Sequence, residues 1–475
     1  MTTLTSKEEA LRTQLIALGQ LHVWEHCTSL KERERVKFMD VLSGLDFDAL
    51  QKAIQKFLSP EACKEETSCL EPPSYIPLLR PEGDVHVWEE ARTLGESLLS
   101  SGKVAALTVA GGQGTRLGLS GPKGCFGVTP IRQKSLFQVF AEKIFAAQRR
   151  YKSRFYWLIM TSQANNEQTI QFFHDNHFFG LEENSIIFFE QGLFPSIDFE
   201  GKLIIEAPGR LAMSPDGHGG TFDALVKSGS LSRLRASGVE VLSYFQVDNP
   251  LVNILDPIFV GFHQKHDSSM SSKMVVKEDS GEKVGLFCKR GGVLGVAEYS
   301  NIPQDIAEAR DAAGQLTLRA ANIAVHLINC DFASHIAGQH ALPFHCAKKI
   351  IPCLGADGKT VRPKAPNGTK FEKFIFDGLQ FAQNPLILEA AREDEFSPVK
   401  NAKGADSPDT SMQDQSRVFA RWLEAAGVRV PRDEAGRLLY RLEISPLFAD
   451  DLDTFLERWK QLNPKPSIHA DLYLE

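Results

Sequence analysis

Residues 110–123 read AGGQGTRLGLSGPK, with four glycines inside eight residues (Gly111, Gly112, Gly114 and Gly118) and two cations, Arg116 among them and Lys123 just beyond. Glycines let backbone N–H groups approach a ligand closely and form an anion-binding concavity. Arg116 offers a bidentate fork for phosphate oxygens, and Lys123 a compact charge suited to a polyphosphate. The plain alternative is a glycine-rich turn with two solvated cations. The two familiar phosphate loops do not fit. A dinucleotide-type G-x-G-x-x-G counted from Gly112 needs glycine where Leu117 stands, and a P-loop needs G-K-[ST] where Lys123 lies between Pro122 and Gly124. A second chemical position is Asp248, which follows the apolar run VEVLSYFQV. A carboxylate at the tip of a strand is a hard oxygen ligand for Mg²⁺, or else the N-cap of a following helix. The eight cysteines are scattered without a C-x-x-C pair, which reads as reduced thiols of a cytoplasmic protein. Cys346 beside His345 has no recognisable third member and reads as core packing.

The elements that would position these residues change character along the chain. Residues 1–95 read as an N-terminal helical region. Ser6 to Glu9 forms a capping box followed by Leu11, Leu15 and Leu18, and the charged run KERER is a solvated helix face. EPPSYIPLLRPEG, with four prolines, reads as an extended connector. From residue 104, apolar runs at VAALTVA, FYWLIM, SIIFFE, VEVLSYFQV and NIAVHLI alternate with helical stretches such as SLFQVFAEKIFAAQRR and TFDALVKSGSLSRLRASG. Alternation of this kind predicts an α/β fold with a mostly parallel, Rossmann-like sheet, whose ligands bind beyond the carboxyl ends of its strands. KRGGVLGVAEYS reads as a hairpin. The expected division is a catalytic domain over 96–405 and a small C-terminal module over 406–475, entered through the polar linker KNAKGADSPDTS.

At 475 residues the chain is too long for one ordinary core. Its 43% hydrophobic and 24% charged residues are those of a globular protein. A net charge of -7 without a basic block argues against a nucleic-acid binder, and the absence of a long apolar window argues against membrane association.

The pattern A-G-G-Q-G-T-R-L-G followed by P-K resembles the nucleotide-binding signature of sugar nucleotidyltransferases, in particular the eukaryotic-type UDP-N-acetylhexosamine pyrophosphorylases. Relatives that make UDP-glucose typically carry N-G-G-x-G-T and a methionine in place of the arginine, so Ala110, Gln113 and Arg116 favour the hexosamine branch. Further blocks follow in the family's order: SPDGHGG (214–220), FQVDNPLV (245–252), EKVGLFCKRGG with VAEYS (282–300), AANIAVH (320–326), PNGTKFEKFIFD (366–377) and REDEFSPVKNA (392–402). The resemblance covers roughly residues 85 to 405.

It implies a sugar-nucleotidyltransferase sheet, UTP and a sugar 1-phosphate as small-molecule partners, and Mg²⁺ as cofactor. Gly111, Gly112, Gly114 and Arg116 would cradle the nucleotide phosphates, and Lys123 would neutralise charge. Gln191 would read the donor and acceptor edge of uracil, and Gly217 would offer its backbone to the base. Asp248 would hold the metal. Gly285, Glu298 and Asn322 match positions that bond sugar hydroxyls, and Lys400 a lysine on the sugar phosphate, with Lys370 and Lys373 in support. Two departures bear on the sugar: His218 replaces the asparagine of P-D-G-N-G-G, near the sugar in the family, and Ala321 replaces a glycine. The expected reaction makes UDP-N-acetylglucosamine and pyrophosphate from UTP and N-acetylglucosamine 1-phosphate. The same chemistry on glucose 1-phosphate or a broad set of hexose 1-phosphates, and a non-catalytic UDP-sugar binder, remain as alternatives.

Overall fold

The strand Val104–Val109 is buried almost throughout and pairs in parallel on both sides, with Val241–Gln246 and with Trp157–Thr161. Its one hydroxyl, Thr108, accepts the indole N–H of Trp157 at 2.8 Å, so the buried polar group is satisfied. Ile186–Glu190 continues the parallel run beyond 157–161. The computed structural model describes residues 5–59, 70–79, 83–339 and 342–475. Cys63, Cys69 and residues 80–82 of the proline-rich connector lie outside them.

Among the described residues ten strands make one sheet. On the other side of 241–246 lies Ala320–Asn329, which runs antiparallel to it. Met270–Val276 and Leu286–Arg290 both pair antiparallel with 320–329, and Leu386–Glu389 runs parallel to 270–276. The expected hairpin is present: 286–290 pairs with Val293–Ala297 across Gly291 and Gly292. Residues Leu70 and Glu71 of the connector edge this hairpin, and Ile76 bridges Leu388. Helices Val85–Ser100, Leu136–Tyr151 and Pro257–Lys265 supply apolar faces to the same core, through Ala91 and Leu99, Phe137 and Phe140, and Phe259 and Phe262.

The chain divides into two compact units that alternate along the sequence. The larger holds the described residues of Cys69–Glu190, Ala224–Ala337 and Gly378–Glu475, and the smaller those of Met1–Ser68, Gln191–Asp223 and Gly338–Asp377. These units do not follow the expected boundaries at 95 and 405. Residue 95 falls inside the helix 85–100, whose Trp88 packs edge-on against Phe262 at 5.1 Å in the larger unit. The C-terminal residues also belong to that unit. Helix Pro408–Ala425, capped by Ser407, sends the Gln415 amide to the Val128 carbonyl at 2.9 Å, and Glu443 accepts the N–H groups of Ile131 and Arg132 at 2.6 and 2.8 Å. A buried Lys134–Glu142 pair at 2.8 Å is shared with Ser445.

In the smaller unit, helices Ser6–Ala17, Leu21–Ser29, Glu32–Ser43 and Phe47–Leu58 bury Leu15, Val23, Phe38 and Leu50 with Ile197 and Phe371 of its three-stranded sheet. The first helix begins one residue earlier than expected. Thr5 is its N-cap, accepting from the Glu8 N–H at 3.3 Å while the Glu8 carboxylate accepts from Thr5 at 2.7 Å. Thr5 is still extended (φ −71°, ψ 160°), and so the reciprocal pair is Thr5 with Glu8. KERER is solvated, as expected for a charged outer face. No helix of the described residues is long and apolar enough to cross a membrane.

One buried charge in the larger unit ties the sheet to the segments that lead to the site. Lys273, 1% exposed on strand 270–276, meets Asp256 at 2.7 Å and Glu395 at 2.5 Å. Asp256 also caps helix 257–265. Lys273→Met leaves two buried carboxylates facing each other and is expected to cost about 3–5 kcal/mol. Urea unfolding reads this as a lower midpoint. Adding Asp256→Asn and Glu395→Gln to that variant is expected to recover most of the loss.

Candidate active site

In the larger unit the glycine loop leaves the carboxyl end of strand 104–109. The N–H of Ala110 still bonds to Met160 at 2.8 Å, and the carbonyls that follow are tied from behind. Ser162 donates to the Gly111 carbonyl at 2.9 Å, and the Asn165 amide to those of Ala110 at 2.9 Å and Gly112 at 3.3 Å. With the carbonyls held, the N–H side of the loop is what remains for a ligand. Ser162 and Asn165 were not singled out in the sequence. Their signal was position alone, since they follow the neighbouring parallel strand and so lie at the same end of the sheet. The loop closes on itself through Gly114 N–H to Gly121 and Lys123 N–H to Gly112, at 2.8 and 3.1 Å. Arg116 is exposed and makes no ion pair among the described residues.

Lys123 and Asp248 are brought together, with Nζ to Oδ2 at 3.1 Å and both side chains largely buried. Asp248 lies in the turn just past strand 241–246, which pairs with strand 104–109, so the parallel register (Gln246 opposite Val109) brings the segments that carry both to one end of the sheet. The Val399 N–H donates to the Asp248 carbonyl at 2.8 Å, laying the segment that carries Lys400 along the strand end. Lys400 itself is half exposed, 3.6 Å from Asp406 and over the ring of Phe396 at 5.7 Å. The described residues hold no cage of three or more His, Cys, Asp or Glu side chains. A lone carboxylate suits Mg²⁺, which keeps waters and substrate phosphates as its remaining ligands, so Asp248 fits the implied ion.

Gly285, Glu298 and Asn322 also gather. The Asn322 N–H donates to the Gly285 carbonyl at 2.9 Å, and Glu298 Oε1 is 3.5 Å from where a Cβ on Gly285 would sit. Asn322 Oδ1 accepts from Ala324 at 2.9 Å, which fixes its amide. Ala321 is fully buried opposite Leu286, so its extra methyl is taken up by the core.

In the smaller unit Gln191 and Gly217 are neighbours through Asp216. The Asp216 N–H donates to the Gly192 carbonyl at 3.0 Å, and its own carbonyl accepts the Lys373 N–H at 2.7 Å. Burial pushes the Asp216 carboxyl up to about 6, opposed by the charge of Lys373 and reinforced by that of Asp223. At neutral pH the group is therefore ionised. Gly217 has φ +84°, and a Cβ there would lie 2.3 Å from the Lys373 carbonyl, so only glycine fits this turn. Lys373 is paired internally with Asp223 at 2.8 Å and lies over the ring of Phe344. Lys370 makes no ion pair among the described residues.

His218 accepts the Ile375 N–H on Nδ1 at 3.1 Å and stacks on Phe374, with centroids 5.3 Å apart and planes at 19°. Burial, with a smaller push from His345, takes its imidazole down to about 4. It is thus a neutral wall of the smaller unit with one nitrogen committed to the backbone. His345 pairs with Asp377 at 2.7 Å, while Cys346, next along the strand, alternates to the opposite face and packs in the core.

The sheet topology and the loop at its strand tips define a class, the sugar-nucleotide uridylyltransferases. The chain belongs to the UTP–glucose-1-phosphate uridylyltransferase family, whose model matches residues 62–419. Within that class its similarity runs to proteins that act on N-acetylhexosamines. It is 34% identical to a probable UDP-N-acetylglucosamine pyrophosphorylase of Dictyostelium discoideum, over 93% of this chain and 94% of that protein. It is 37% identical to the UDP-N-acetylglucosamine pyrophosphorylase of Saccharomyces cerevisiae, over 86% and 89%. The crystal structure of the Trypanosoma brucei uridine diphosphate N-acetylglucosamine pyrophosphorylase in complex with an inhibitor matches with TM-score 0.82 at 28% identity, covering 100% of this chain and 99% of that one. A UDP-glucose pyrophosphorylase of Leishmania major shares the fold, at TM-score 0.60 and 16% identity.

The neutral state of His218 is directly measurable. In the folded protein its ring proton is expected to show no NMR titration between pH 8 and 5.5. A midpoint near the ordinary 6.5 would contradict the buried, backbone-bonded ring.

Proposed function

We propose that the chain transfers the uridylyl group of UTP to N-acetylglucosamine 1-phosphate, giving UDP-N-acetylglucosamine and pyrophosphate. The observation that carries this reading is the Lys123–Asp248 pair at adjacent parallel strand tips, directly after the glycine loop. In the reaction a sugar-phosphate oxygen, already ionised at neutral pH, bonds to the α-phosphorus of UTP. The bond from that phosphorus to the bridging oxygen breaks, and pyrophosphate leaves. No protein nucleophile is needed. The task is to hold two mutually repelling anions in line and to stabilise the charge that moves onto the leaving group.

The chain's residues divide that work. The N–H groups of Gly111 and Gly112 cradle phosphate oxygens with the exposed Arg116 beside them, while Gly114 shapes the loop by giving its N–H to the Gly121 carbonyl. Lys123 supplies charge to the triphosphate and Lys400 to the sugar phosphate. When bound, Mg²⁺ held by Asp248 supplies further neutralisation of the phosphates. Gln191 and Gly217 meet the base, and Gly285, Glu298 and Asn322 the sugar hydroxyls. We further assign the protein to the cytoplasm, a reading supported by its scattered cysteines, which form no C-x-x-C pair.

Purified protein given UTP, Mg²⁺ and a panel of sugar 1-phosphates is expected to release pyrophosphate fastest with N-acetylglucosamine 1-phosphate. Lys123→Ala and Asp248→Ala are each expected to lower kcat/KM by about 10²–10³. Equal or better use of glucose 1-phosphate would overturn the sugar assignment, and wild-type turnover in either variant would overturn the mechanism.

A further inference from the structure

The larger unit holds a cavity of about 430 Å³ between helix 136–151, helix 408–425 and the segments 251–257, 394–395 and 450–452. A smaller one of about 70 Å³ adjoins it, with Lys143, Leu251, Asp394, Val418, Trp422 and Asp450 as shared walls. None of the residues assigned to the reaction lines either one. Tyr151, Trp422, Leu251 and Val418 give aromatic and apolar surface, and charged groups stand among them. A largely apolar cavity with a few converging polar groups is the usual form of a small-molecule site.

Most of those charges cancel in place. Arg421 pairs with Asp394, Arg150 with Asp451, Lys273 with Glu395 and Lys134 with Glu142. Three groups are left. Lys143 donates to the Pro250 and Val252 carbonyls, at 2.8 and 2.7 Å, and meets no carboxylate among the described residues. Asp450 makes no side-chain hydrogen bond or ion pair among the described residues. Glu443 is 2% exposed, and its Oε2 accepts from Ile131 and Arg132, but its Oε1 has no partner. Burial pushes the Asp450 carboxyl up to about 6 and the Lys143 ammonium down to about 8, so both are charged at pH 7. Two carboxyl groups thus face one ammonium, and a buried acceptor without a donor is costly.

We propose that these adjoining cavities bind a small organic ammonium compound, its charge toward Asp450 and Glu443 and its carbon skeleton against Trp422. A protonated amine brings the positive charge and the N–H donors that the two carboxyl groups lack. The ring faces of Trp422 and Phe419, both walls of the smaller cavity, attract a cation. A hydroxyl on the same molecule suits the third N–H of Lys143. The occupant is felt at Asp248 because the walls are its supports. Pro250 and Val252 lie two and four residues beyond Asp248. Asp394 and Glu395 lead to Val399, whose N–H donates to the Asp248 carbonyl, and Asn249 donates to the Glu395 carbonyl at 2.6 Å. The binding stands apart from the proposed function, and only its consequence for turnover rests on that reading.

Calorimetric titration of the purified protein with phenylethanolamine, which carries an ammonium, a hydroxyl and a ring, is expected to show saturable binding. Phenylethanol, its neutral counterpart, is expected to show none. Asp450→Asn is expected to weaken the amine's binding about tenfold or more. Should that variant not fold, Val418→Phe fills a wall shared by the two cavities and is expected to abolish binding. Amide hydrogen exchange at residues 251–255 and at Val399 is expected to slow when the amine is bound. The proposal is overturned by absence of saturable binding, by equal binding of phenylethanol, by an affinity unchanged in the variants, or by unaltered exchange in both segments. Amine binding by a protein that transfers no uridylyl group would overturn the proposed function and leave this site standing.

Discussion

The larger unit is organised around a largely buried ion pair between Lys123 and Asp248. Lys123 and Asp248 are 125 residues apart in sequence and 3.1 Å apart in space. They meet because strands 104–109 and 241–246 lie side by side in parallel, ending together. Every supporting feature near them preserves that coincidence. Ser162 and Asn165 fix the loop that carries Lys123. On the Asp248 side, Asn249 donates to the Glu395 carbonyl at 2.6 Å and accepts from Ser397 at 3.1 Å. Glu395 is in turn held by the buried Lys273. The pair thus stands at the end of a chain of contacts running through the sheet. Largely buried, it is screened less than a surface pair would be.

The smaller unit follows a related logic with the opposite charge. Asp216 is an acid in a glycine-walled niche, and beside it His218 is held neutral by burial and by its bond to Ile375. A neutral ring next to an ionised carboxylate leaves local polarity to Asp216, Lys373 and Asp223. The His218 replacement, which in the sequence stood as the main departure near the sugar, is accommodated by stacking on Phe374 and carries no charge at neutral pH.

The parallel strands were legible because burial on both faces demands continuous apolar runs, and the five runs from VAALTVA to NIAVHLI all appear as strands. Direction was not legible. Strand 320–329 has the same apolar run as its neighbours yet lies antiparallel, since pattern records burial and not orientation. The unit boundaries were hidden for a related reason. Helix 85–100 looks like a continuation of the N-terminal helices, but its partner, helix 257–265, is more than 150 residues away. Of the site, Arg116, Lys123, Asp248 and the glycines were visible as residue types that serve phosphate and metal chemistry. Ser162 and Asn165 were not, because each acts by holding another residue in place, and such partnerships exist only in three dimensions.

The central claim is that catalysis here is direct transfer between two positioned anions, with no bond from uridylyl to the protein. The most direct measurement is the configuration at the α-phosphorus when UTP made chiral there is converted to UDP-N-acetylglucosamine. A single in-line displacement predicts inversion. Retention would require two displacements through a covalent uridylyl-enzyme, and would contradict the account.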